Sequence, residues 1–247
     1  MNFLDHTSAP YPIREDITAA CRTYWSQLAG PGTWWSGAER VAIAEESRNA
    51  LTCAFCEARK SALSPYAFEG EHDSTTDLPP RAVDAVHRVM TDQTRITGAW
   101  IEDNAENGLS KEAYVELVGV VVAVFSIDEF HRALGMPLEP LPQPESGAPS
   151  EYRPAVLSDD MGFVPTVPED GAVGEEADLW TSGFAPNVVR ALTLVPNALR
   201  EWRAIAAALY IPLEVMGDYA RDLGRAIDRT QMELVAGRVS SVNECFY

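Results

Sequence analysis

The chain has 247 residues, with 19 Lys and Arg against 37 Asp and Glu, a net charge of −18, and 46% apolar residues. That balance excludes a sequence-independent nucleic-acid binder, which needs a basic face for the phosphates, and it disfavours an anionic membrane surface. The longest apolar run, Leu117–Phe125, is far short of the roughly 20 residues that span a bilayer, and the first ten residues carry Asp5 and no signal-peptide core, so a cytoplasmic protein of one or two domains is expected.

The first half reads helical. Arg14–Leu28 predicts one helix, and Ala38–Leu63 a second that breaks near Asn49–Thr52. Pro80 stands at a plausible first helical position, followed by Ala82, Val83, Val86, Val89 and Met90 on one face. Ser110 predicts an N-cap for a helix whose apolar face holds Tyr114, Leu117, Val118, Val121, Val124 and Phe125, and Gly135 predicts its stop. Residues 136–180 change character. Eight of the 17 prolines lie between Pro137 and Pro168, and seven acids with no lysine or arginine lie between Asp159 and Asp178. Such a stretch reads as a linker or a long surface arm. Helical signal returns at Asn187. Leu192, Leu194, Leu199, Trp202, Ile205, Leu209 and Tyr210 can line one side, and Leu223, Ile227, Leu234 and Val235 another, with Pro196 and Pro212 cutting the region into short helices. The division expected is 1–136, a proline-rich acidic linker 137–180, and 181–247, in an all-α chain. The sequence ends on two aromatics directly after Cys245, as if cut inside an element.

Four cysteines do not make a disulfide framework in a chain of this length, but Cys53 and Cys56 form a CxxC. If Thr52 caps a helix, Cys56 lies one turn in, where the positive helix end favours a thiolate. Lys60, four residues on, adds a cation on the same face. The pair can then cycle between dithiol and disulfide. Two other readings stand beside this one. The cysteines can be structural and buried, or they can be half of a zinc site completed by His72 and His87, although that spacing matches no common finger.

An all-helical chain with a CxxC opening a helix and a following helix pair resembles the AhpD-like alkylhydroperoxidase and carboxymuconolactone decarboxylase superfamily. The stretch Gln231–Tyr247 is similar to that family's signature, in which a glutamate stands twelve residues before the first cysteine; Glu233 and Cys245 have that spacing. The two cysteine regions read as a weak tandem repeat offset by 192 positions, pairing Ile43 with Val235, Ala44 with Ala236 and Phe55 with Tyr247. The resemblance covers residues 36–136 and 184–247, and implies an AhpD-like multi-helical bundle repeated in tandem, the second copy incomplete. Departures are specific. In the first copy the glutamate position falls on Val41, with Glu39, Glu45 and Glu46 nearby but out of register, and the histidine position is Lys60. The second copy stops where the second cysteine belongs. A UGA codon read as a stop, with selenocysteine in the redox pair and a histidine four residues on, is the expectation for that ending.

What the resemblance implies is a thiol-dependent hydroperoxidase or disulfide oxidoreductase of peroxiredoxin type. Cys56 would attack, Cys53 resolve, and Lys60, Glu233 and Cys245 complete the set of site residues. It implies a small peroxide substrate, an external dithiol donor and self-association, with no haem, flavin or metal required. A lactone decarboxylase-like enzyme and a non-catalytic oligomerisation module are the alternatives. Walker, GxGxxG, HExxH and GxSxG motifs are absent from the sequence. Trp34 and Trp35 read as packing anchors, His87 and His131 as partly buried structural histidines, and Asp128 and Glu129 as helical ion-pair partners of Arg132.

Overall fold

A computed structural model describes residues 3–180, 185–243 and 245, and the backbone but not the side chain of Tyr66. The described residues are all-α; their one β feature is an isolated bridge between Ser158 and Thr166. No described helix is long and apolar enough to cross a membrane.

Helix α1 spans Glu15–Ala29 and α2 spans Gly37–Ala50. Ser36 and Glu39 form a capping box that fixes the start of α2, each satisfying a backbone N–H of the other. The expected break follows, and α3 runs Ala54–Ser61. Pro80 opens α4, Pro80–Thr91. A helix the periodicity did not reveal, α5 (Gly98–Glu106), is capped by the Thr97 hydroxyl on Trp100 N–H. Ser110 caps α6, Lys111–Ala133, and Gly135 follows it with φ +67°, the left-handed position that glycine takes without strain. Then come α7 (Asn187–Arg190), α8 (Pro196–Leu209) and α9 (Arg229–Val242), divided by prolines as expected.

The main core gathers Tyr24, Trp25 and Leu28 of α1, Ile43 of α2, Val83 and Val86 of α4, and Leu117, Val121, Val124 and Ile127 of α6. Ile205 and Ala208 of α8 join it, because α8 packs against both α1 and α6. A second cluster holds Val115, Val167, Leu179, Leu192, Leu194 and Leu199. The proline-rich stretch lies along the helices. Trp25 Nε1 donates to Pro140 O (2.9 Å), Glu145 N–H to Ala29 O (2.7 Å), and Glu151 N–H to Thr33 O (2.8 Å). Proline supplies no N–H, so a segment rich in it leaves few donors to satisfy and can dock in extended form. Val167 and Leu179 within it are fully buried.

Some expectations fail here. Leu223, Ile227, Leu234 and Val235 do not line a buried face: Leu223 is half-buried and the other three are exposed. Val239 and Val242 are exposed too, while Phe246 and Tyr247 lie outside the described residues. Asp128 pairs with Arg48 of α2 (2.7 and 2.8 Å), leaving Glu129 to Arg132. His131 is fully buried. It donates Nδ1–H to Pro137 O and faces His6 Nε2 through its own Nε2 at 3.1 Å.

Candidate functional site

Three segments meet at the cysteine pair. Cys53 is the N-cap of α3 in extended conformation, so Cys56 sits in the first turn, where backbone N–H groups are free and the helix field favours an anion. The expected cap, Thr52, instead bonds back to Asn49 O. The N–H of Ala54 is satisfied from another loop, by Asp73 Oδ2 at 2.9 Å. Asp73 thereby anchors the loop that carries His72. Glu46 of α2 anchors it again, accepting from the hydroxyls of Ser74 (3.0 Å) and Thr76 (2.7 Å). Helix α4 packs against α2 and α3 and brings the buried His87 to the pair.

The result is one thiol between two histidines. Cys56 Sγ lies 3.1 Å from His87 Nδ1 and 3.5 Å from His72 Nδ1, and Cys53 Sγ lies 3.8 Å from His72 Nδ1. Each ring is backed by a carboxylate. His87 Nε2 donates to Glu46 Oε1 at 2.8 Å, and His72 Nε2 donates to Asp84 Oδ1 at 3.0 Å. Asp84 is fixed in turn by Arg59 and Arg88, each at 2.8 Å. His87 and Glu46 are fully enclosed, and both sulfurs are buried.

Electrostatics follow from this geometry. Burial pushes the Cys56 thiol up, but hydrogen bonds from His72 and His87 outweigh it and bring it down to about 5. Burial lowers His72, yet its bond to Asp84 and its contacts with both thiols raise it to about 9. Burial likewise pushes Asp84 and Glu46 up. Their hydrogen bonds, chiefly from His72 to Asp84 and from His87 to Glu46, hold both below their ordinary range. Cys21, with no such partners, is raised to about 12 by burial, which leaves it inert. A cavity of about 310 Å³ opens onto Cys53 and Cys56 past Met90 and Thr91, and a larger one of about 570 Å³ reaches His72 and Asp84 beside Phe55, Phe68, Arg59 and Arg88.

No protein-family model matches this chain, no curated protein matches it, and no solved structure matches its fold.

Of the residues expected from sequence, Cys53 and Cys56 come together. Lys60 is exposed at the rim of the smaller cavity, and the groups against Cys56 Sγ are histidines instead. Glu233 is bound to its own helix and its neighbour, accepting from Arg229 Nε (2.6 Å) and the Tyr210 hydroxyl (2.7 Å). Cys245 is exposed beyond the end of α9. Glu46, His72, Asp84 and His87 are the residues that reading for catalysis missed. Only the pairing of the CxxC with two histidines, considered for zinc, pointed at two of them.

Proposed function

We propose that this protein performs thiol–disulfide redox chemistry at Cys53 and Cys56, as a thiol-dependent hydroperoxidase or a disulfide oxidoreductase. The observation that carries the reading is the chain Cys56–His87–Glu46, an ordered thiol, base and orienting carboxylate with contacts of 3.1 and 2.8 Å. The resemblance to the AhpD-like group supports the same chemistry. Here His72 and His87 would take the part that the family's relay histidine plays, since Lys60 stands at its position.

In this reading the Cys56 thiolate attacks the outer oxygen of a hydroperoxide. An S–O bond forms, the O–O bond breaks, and the alkoxide leaves with a proton from an adjacent imidazolium. The sulfenic acid is then attacked by Cys53, an S–S bond forms and water departs. An external dithiol returns the pair to thiols. The cavity past Met90 and Thr91 admits a small peroxide. Self-association belongs to the same proposal, the exposed Leu234, Val235, Val239 and Val242 of α9 being available for it.

The test is thiol accounting in metal-free protein treated with an organic hydroperoxide. The wild type should lose two thiols and two hydrogens. Cys53→Ser should stop at one sulfenic acid, trapped as a dimedone adduct, and Cys56→Ser should not react. Full reactivity of Cys56→Ser would overturn the assignment.

A further inference from the structure

The same four side chains carry a second chemistry. Cys53, Cys56, His72 and His87 present one donor atom each, two sulfurs and two Nδ1 nitrogens, all within 4.8 Å of one another. Zinc–sulfur bonds of about 2.3 Å and zinc–nitrogen bonds of about 2.05 Å, set at tetrahedral angles, require separations of about 3.8 Å between sulfurs, 3.6 Å between sulfur and nitrogen, and 3.3 Å between nitrogens. The contacts of 3.1, 3.5 and 3.8 Å bracket the sulfur–nitrogen value.

The outer sphere is also in place. A histidine ligand that offers Nδ1 must keep its proton on Nε2, and a carboxylate on that proton fixes ring and tautomer. Glu46 does this for His87 and Asp84 for His72. Two buried thiolates with a divalent ion are neutral as a unit, which suits an enclosed site.

We infer that Cys53, Cys56, His72 and His87 hold one zinc ion in the reduced protein, and that oxidation of the cysteine pair releases it. This departs from the sequence expectation that no metal is required. Four protein ligands leave no open position, so the ion shields the nucleophile and is structural in kind. The release step balances. Two thiolates and one hydroperoxide, with two protons from water, give one disulfide, one alcohol and one water, and the ion loses both sulfur ligands. That step alone rests on the redox reading; binding does not.

The experiment uses the full chain, reduced and stripped with a chelator. Cobalt(II) should bind one per chain with sulfur-to-metal charge transfer and the strong visible bands of a tetrahedral site, and zinc should displace it. Zinc should protect two of the four thiols from alkylation in the wild type. Asp84→Asn keeps all four donors and should weaken zinc by about 10–100-fold. Cobalt bound without thiolate charge transfer, or zinc that protects no thiol, overturns the site without recourse to any variant. Hydroperoxide added to the zinc form should release one ion as two thiols are lost. Retention of the ion while stripped protein still forms the disulfide overturns the release step. Zinc bound by a protein whose stripped thiols ignore hydroperoxide upholds the site and removes the redox reading.

Discussion

Replacing Glu46 by glutamine keeps the volume of a fully buried side chain but removes the charge that orients His87. A base without its carboxylate loses both tautomer control and the field that stabilises the imidazolium. Disulfide formation by hydroperoxide in zinc-free Glu46→Gln protein should therefore slow by about 10²-fold or more. Lys60→Ala should react at the wild-type rate, because the lysine is exposed and the histidines occupy the thiol. Stopped-flow thiol loss with circular dichroism as a fold control measures both, and an unchanged rate in Glu46→Gln would remove the relay. The cysteines were legible in sequence because their spacing is itself chemical. His87 was not. Its neighbours Val83, Val86 and Val89 mark an apolar face, and the sequence is silent on Cys56 being packed against that face from α3. His72 stands in a loop whose path is set by Asp73 capping α3 and by Glu46 gripping Ser74 and Thr76, contacts that no periodicity encodes.

Helix α6 crosses α8 at Gly119, where a Cβ would come within 2.8 Å of Ala198 Cβ. Gly to Ala in a helix interior ordinarily gains up to about 1 kcal/mol from backbone entropy and helix propensity. At this crossing the methyl groups collide, and neither is the end of a flexible chain. Overpacking of this kind costs about 1–3 kcal/mol. Gly119→Ala should lower the urea midpoint, and a raised midpoint would mean that α8 does not sit on α6 this closely. Helix boundaries were well read where the chain states them: the Ser110 cap, Pro80, Pro196 and Gly135. Helix α5 escaped because Glu102, Asp103 and Asn104 hide its period. The seat of α8 also escaped, since Ile205 and Ala208 announce an apolar face but not the α1–α6 surface that covers it.

A single buried cation joins several parts of the molecule. Arg40 of α2 is 2% exposed; its Nη2 meets Glu201 of α8 at 2.5 Å, its Nη1 donates to Gln27 O of α1 at 2.8 Å, and its Nε lies 3.6 Å from Glu116 of α6. Glu116 also accepts from Trp34 N–H at 2.5 Å, and a Cβ on Gly32 would strike its Oε1 at 1.7 Å, so a side chain at position 32 would have to displace this carboxylate. Two carboxylates thus face one guanidinium beside the buried Tyr24. Burial pushes Glu116 up to about 7, against the pull of Trp34 N–H and Arg40, with Glu201 adding repulsion; Glu201 is raised too, again by burial. A carboxyl group raised in the folded state favours folding when protonated. Its contribution is fully present below the unfolded value near 4.5 and is lost as pH rises through about 7. The acid limb set by Asp84 and Glu46 runs the other way, so the quantity to measure is the difference between wild type and Glu116→Gln. Glutamine does not titrate, and the wild type should lose about 1–3 kcal/mol relative to it between pH 5 and pH 8. Paired denaturation curves across that window decide the matter. A difference that stays constant with pH would mean that Glu116 is ionised throughout and that Arg40 balances both of its acidic neighbours.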